Sequence, residues 1–185
     1  MTSTEFLKRL CEGYVRSYRT FNLRTSAKWT DLTQRELDWF VRLGEMLGFA
    51  ARLEEQRMDL SWHDVESRKL VLYLERETHA DKVLTNTLPK LLQSEESRQA
   101  AYLGAVFGWV REQDLPAIKQ TIKSRLGNRL LLVIAWVGPT RETAEDLVTF
   151  VFSESSVLTR HGKGLRDEDT YWYARFLDQW GPEEQ

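Results

Sequence analysis

Apolar residues recur along the chain with two periods, and each change of period marks a new element. Across residues 4–24, Phe6, Leu7, Leu10, Tyr14, Tyr18 and Phe21 fall three or four apart, the spacing of one helical face. A second helix is predicted from Thr33, because Thr33 and Glu36 have capping-box spacing and Leu37, Phe40, Val41, Gly44 and Leu47 carry the stripe to Gly48. After Gly48 the period drops to two. Residues 49–54 read as a short strand, and residues 57–63 set Met58, Leu60 and Trp62 against Asp59, Ser61 and His63. Residues 69–77 alternate Leu70, Leu72 and Leu74 with Val71, Tyr73, Glu75 and Glu77, so residues 64–68 form the turn between two strands of a hairpin.

The pattern then switches repeatedly. Residues 80–93 are helical in spacing, with Pro89 expected to bend or interrupt them. Residues 101–109 follow as a strand, 115–126 as a helix ended by Gly127, and 129–137 as a strand so apolar that both its faces should be covered. Residues 140–146 read as a short helix or turn, 147–153 and 156–160 as strands, 161–169 as a loop and 170–180 as a closing helix. This order predicts a single α/β domain with a mixed sheet of five to seven strands sandwiched by helices. Within it, residues 1–30 form a helical extension, 33–153 the core, and 156–185 a C-terminal strand and helix.

Composition narrows the classes without naming a chemistry. The 185 residues carry 26 Lys and Arg against 28 Asp and Glu, so no global positive charge argues for nucleic acid. The one cysteine, Cys11, precludes an internal disulfide and a multi-cysteine metal site, and fits a reducing compartment. Residues 130–137 are the longest apolar run, too short to cross a bilayer. Charges stand early in the chain where a secretory leader needs its apolar run. The expectation is a cytoplasmic protein with no membrane contact; oligomeric state is not legible.

Parity isolates one constellation. If Met58, Leu60 and Trp62 share a buried face with Leu70, Leu72 and Leu74, registering Leu60 against Leu74 puts Asp59 opposite Glu75, with Glu77 on the same side. Side chains so opposed have Cβ atoms about 4.5–5.5 Å apart, where like charges repel. A divalent cation with hard oxygen ligands would offset that repulsion. Glu36 projects within the apolar arc of the preceding helix and could reach toward the same place.

Glu36, Asp59 and Glu75-Arg76-Glu77, followed by a crossing helix, resemble the PD-(D/E)xK restriction-endonuclease-like superfamily over residues 33–137. The resemblance implies a nuclease-like α/β core in which Asp59, Glu75 and Glu36 hold Mg²⁺ or Mn²⁺ for phosphodiester hydrolysis in DNA or RNA. Glu77 stands where that family usually has lysine, a Glu-x-Glu variant. It implies Glu77 as a further ligand or base, with Lys82 or Lys90 returning the missing positive charge. The alternative is a catalytically degenerate member of the fold that binds nucleic acid or protein.

Plainer readings stand beside each of these. Glu36 also reads as the capping-box partner of Thr33, and the three acids of the hairpin as a solvated face paired to Arg57, Arg68 or Arg76. His63 shares the acidic side and could ligate metal, or end a strand at the surface. Arg16, Arg19 and Arg24 on one helix, Lys119, Lys123, Arg125 and Arg129 around another, and Lys163 in the loop after His161 are candidate phosphate contacts. Charged outer helix faces have the same composition.

Overall fold

The computed structural model describes residues 2–21, 29–55, 58–168 and 171–183. Arg24 and Arg57, the side chain of Trp29 and residues 169–170 lie outside this description. The helices are α1 (Ser3–Phe21), α2 (Trp29–Met46), α3 (Ala80–Lys82), α4 (Leu88–Gln93), α5 (Glu95–Gln99) and α6 (Leu115–Arg125). The strands are β1 (Phe49–Leu53), β2 (Leu60–Asp64), β3 (Leu70–Glu77), β4 (Tyr102–Val110), β5 (Leu131–Val137), β6 (Asp146–Phe152), β7 (Val157–Arg166), β8 (Trp172–Phe176) and β9 (Gly181–Pro182).

All nine strands join one sheet in chain order from β1 to β8, with β9 on β7. β1, β2 and β3 form an antiparallel meander, β3, β4 and β5 run parallel, and β6 to β9 are antiparallel additions. The parallel pairs require crossovers, supplied by α3–α5 and by α6. β5 is buried along its whole length, as an apolar strand covered on both faces must be.

Alternation along each strand divides the core in two. Leu72 and Leu74 of β3, Leu132, Ile134 and Trp136 of β5, and the apolar faces of α1 and α2 make one cluster. Tyr73, Leu131, Val133 and Ala135, with Leu88, Leu91 and Leu92 of α4 and Ile118 and Ile122 of α6, make the other. The N-terminal helix is therefore no extension: Leu7, Leu10, Cys11 and Tyr14 are core residues, and α1 packs on β5, β6 and β8.

Three segments depart from the sequence reading. The α/β class holds, but the sheet has more than five to seven strands because residues 172–176 form β8 and residues 181–182 form β9, while residues 161–166, expected as a loop, continue β7. In place of the closing helix expected over residues 170–180, Trp172 and Ala174 alternate inward against Tyr173 and Arg175, a period of two that α1 covers. Helix α2 starts at Trp29, so Thr33 and Glu36 stand inside it rather than at a cap. Pro89 acts through the turn before it. Residues Val83–Thr87 form a π turn in which Leu88 N–H donates to Val83 O, because the proline ring cannot tolerate ordinary α-helical packing there. Among the described residues no helix is long and apolar enough to cross a membrane.

Candidate functional site

The register that parity required is the one found: Leu60 pairs with Leu74, Ser61 with Tyr73 and Trp62 with Leu72. Strand β2 stops at Leu60 while β3 runs on to Glu77, leaving the last residues of β3 without a strand partner on that side. Asp59 fills the gap. Its Oδ2 accepts a 2.7 Å hydrogen bond from the Arg76 backbone N–H, completing the ladder with a side chain. The chain bends at this point, so Met58 joins the α4 side of the core instead of following Leu60 and Trp62, and a register shift after Trp62 puts Leu70 on that side as well, against the expected shared face.

Glu75 extends from β3 toward α4 and is 3% exposed. Its Oε2 accepts from Lys90 Nζ at 2.7 Å, and its Oε1 is buried with no hydrogen-bond partner. Burial, then the charge of Asp59, pushes the Glu75 carboxyl up to about 7 against the pull of Lys90. Burial also raises Asp59, where Glu77 adds to the effect and the Arg76 amide and Lys90 oppose it. The Tyr73 phenol, buried and facing Glu75, is raised for the same reasons. The result is two carboxyls and one ammonium crowded at the end of β3, with one carboxylate oxygen unsatisfied.

Glu77 has a different job. Its Oε1 accepts from the backbone N–H groups of Thr78 (2.8 Å) and His79 (2.9 Å), and Oε2 accepts from Thr87 Oγ1 at 3.0 Å. Although burial pushes its carboxyl up, these donors bring it below the usual range. Glu77 is committed to holding the start of α3 and the π turn, which corrects its expected role as ligand or base. Of the two lysines considered, Lys90 reaches the carboxylates, whereas Lys82 is exposed on α3.

Glu36 is the clearest correction. It is 2% exposed, as its inward projection implied, but it lies on the α1–α2 side of the sheet, across β3 from Asp59 and Glu75. Arg76 Nε donates to its Oε2 at 2.7 Å, Tyr14 Oη donates to its Oε1, and Trp136 Nε1 donates to Tyr14 Oη at 3.2 Å. Arg76 falls at an even position on β3, where parity buries it beside leucines, so it needs a buried counter-charge. That parity was available in the sequence, although it shows the burial of Arg76 and not its partner.

The expected metal donors can therefore be tested against the geometry. Among the described residues, no group of three His, Cys, Asp or Glu is arranged to hold an ion. What is offered is Asp59 with the unsatisfied Glu75 Oε1, a donor set suited to a hard cation that keeps most of its ligands as water. A three-carboxylate cage including Glu36 or Glu77 does not fit. His63 is engaged elsewhere, with Nε2 3.0 Å from Glu55 Oε2 and 3.1 Å from Ser61 Oγ.

The proposed phosphate contacts do not form one surface. Arg16 and Arg19 ride on α1 over one face, and Lys119 and Lys123 on α6 over the other. Arg19 pairs with Asp167 at 2.8 Å, Lys119 and Lys123 both bond Glu183, and Lys163 Nζ is 4.0 Å from Asp146. Arg129 is an internal staple, donating to the carbonyls of Leu126, Leu92 and Arg125 and to Ser97 Oγ.

No protein-family profile matches the chain, and no curated protein matches it. Among solved structures, the central domain of yeast acetyl-CoA carboxylase aligns with 80% of this chain at 10% identity and a TM-score of 0.39, covering 27% of that chain.

Proposed function

We propose that this protein is a metal-dependent nuclease of the restriction-endonuclease-like kind, with Asp59 and Glu75 as ligands for Mg²⁺ or Mn²⁺ and Lys90 as the site's cation. The observation that carries the reading is Glu75: a carboxyl buried at the end of a strand beside a second acid, one oxygen bonded to Lys90 and the other without a hydrogen bond of normal geometry, and still pushed up to about 7 against the pull of Lys90 and the Tyr73 phenol. Folding alone gains nothing from such an arrangement, since an unsatisfied buried oxygen costs on the order of 1–3 kcal/mol. The path of the chain supports it too. A helix, an antiparallel meander carrying Asp59 and then Glu75, crossover helices and a strand parallel to β3 follow in the order that family requires.

Bound at this site, the ion would lower the pKa of a coordinated water and neutralise charge developing on a phosphodiester. The protein's own groups have separate tasks. Asp59 is held in place by the Arg76 amide, so its second oxygen can face outward from the ladder. Glu75 must surrender its proton to bind a cation, and Lys90 favours that loss. Lys90, partly exposed at 27%, can also swing from Glu75 to a phosphate oxygen or an attacking water.

One observation favours the second reading, a binding module without catalysis. Glu77 stands in the family's lysine position and is fully occupied by Thr78, His79 and Thr87. Nicking of supercoiled plasmid in Mn²⁺, compared among wild type, Asp59→Asn, Glu75→Gln and Lys90→Met, separates the two. The nuclease reading expects metal-dependent nicking that falls at least about a hundredfold in each acid variant. Absence of nicking by a folded wild type on duplex and single-stranded DNA and RNA would overturn it.

A further inference from the structure

The π turn Val83–Thr87 is anchored at two points. Thr87 Oγ1 donates to Glu77 Oε2 at 3.0 Å, and Thr85 Oγ1 donates to the Asp81 carbonyl at 2.9 Å. Such insertions into a helix occur frequently at functional sites. This one borders a cavity of about 930 Å³ on the α4 side of the sheet, within the roughly 300–1,000 Å³ of small-ligand sites. Tyr73 of β3, Asn86 of the turn, Pro89, Lys90 and Gln93 of α4, and Ser94 line it.

Three of these groups share a stripe. Asn86, Lys90 and Gln93 are four and three residues apart, the spacing of one helical face, so an ammonium stands between two amides. Lys90 also reaches Glu75 at 2.7 Å, which joins the cavity to the carboxylate site. Asn86 and Gln93 are exposed, and among the described residues neither side chain is bonded to another group. Each amide keeps its donors and its acceptor for a ligand.

That composition selects the ligand. Nucleic acid held through its backbone needs several Lys or Arg contacts. The chain's net charge is −2, and Lys90 is the cation of this lining, beside the acid Glu96. Phosphate contacts alone therefore supply little affinity here. Asparagine and glutamine amides match the adjacent donor and acceptor groups on the edges of nucleobases. A base enters a cavity only when it is unpaired and unstacked, and Pro89, partly buried, offers its face an apolar surface.

We propose that this cavity receives one unpaired base of a single-stranded nucleic acid, with Asn86 and Gln93 hydrogen-bonding to the base edge and Lys90 meeting the adjoining phosphate. The proposal deepens the nuclease reading, on which it rests, by making the substrate of the Asp59–Glu75 site a single strand.

Fluorescence anisotropy in EDTA tests it, with a labelled oligodeoxyadenylate, its duplex with oligothymidylate, and an abasic strand of the same length. Wild type should bind the oligodeoxyadenylate about tenfold more tightly than either of the others, which carry the same backbone without an available base. Asn86→Ala/Gln93→Ala removes two exposed side chains, so the fold and the melting temperature stay as they are, and the strand should bind only as well as its abasic counterpart. EDTA keeps metal chemistry out of the readout. Base-selective binding without nicking in Mn²⁺ would sink the nuclease reading and leave the cavity's ligand in place; nicking without base selectivity would sink this proposal alone. Equal affinity of wild type for the base-bearing and abasic strands, binding of the duplex as tightly as the single strand, or selectivity retained in the double variant overturns it.

Discussion

Glu75 and Arg76 are neighbours on β3, yet their side chains enter two differently built regions. On the α1–α2 side, Arg76 meets Glu36, Tyr14 and Trp136 in a hydrogen-bonded chain wrapped by the larger aromatic cluster. On the α4 side, Glu75 has one lysine, one nearby acid, the Tyr73 phenol and an oxygen without a hydrogen bond of normal geometry. Both regions bury charge, and the difference lies in whether that charge is paired across the sheet's own helices. The first region joins α1, α2, β3 and β5 into one unit, so it behaves as structure. The second concentrates like charge at a strand end beside a π turn, so it has unspent capacity for a cation.

The comparison breaks most visibly at Glu36. Glu36→Ala leaves Arg76 buried and uncompensated, and should cost about 3–5 kcal/mol in denaturant unfolding. The double variant Glu36→Leu/Arg76→Met should recover much of that loss, because an apolar pair suits the same surroundings. A double variant no more stable than the single one would mean the network contributes more than charge pairing.

On the other side the leading effect is pH-dependent. The folded protein holds the Glu75 proton up to about 7, above the ordinary 4.5, so its stabilising contribution is full below 4.5 and lost as pH rises through 7. Asp59, also raised, adds the same sign, while Glu77, lowered, opposes it as the medium becomes acidic. Between pH 5 and pH 8, Glu75→Gln should therefore gain on wild type by on the order of 2–3 kcal/mol in urea melts. Parallel stability curves for the two proteins would contradict the burial of Glu75.

How far this contrast could be read from the chain depends on periodicity. The Leu60–Leu74 register, and with it the meeting of Asp59 and Glu75, followed from alternation because a one-residue slip would turn Leu60 and Trp62 away from the face that Leu72 and Leu74 share. Lys82 and Lys90 were both legible as cations on the following helix, and the choice between them stayed open because it depends on how Pro89 deforms that helix. Glu36 was read correctly as buried and wrongly as a ligand, since helical projection gives depth but not which sheet face the helix covers. Glu77 was misread because backbone amides of Thr78 and His79 leave no mark in a residue pattern. Strand β8 was missed where tertiary cover by α1, rather than local spacing, decides between helix and strand.

Smaller changes sharpen the account. Lys90→Met removes the one cation bonded to Glu75 and should move that carboxyl's midpoint further upward, at a stability cost of about 1 kcal/mol. Lys123→Gln, half-exposed and bonded to Glu183, should change stability by less than about 0.5 kcal/mol. A large effect there would assign the α6 lysines a role that their pairing does not suggest.

The most direct test observes the two buried glutamates together. In a carboxyl-carbon NMR titration of one wild-type sample with Mg²⁺ at pH 8, the account predicts that the Glu75 resonance moves saturably while that of Glu36 stays in place. Joint movement of both, or no movement of Glu75, would contradict the division of β3 into a closed face and a receptive one.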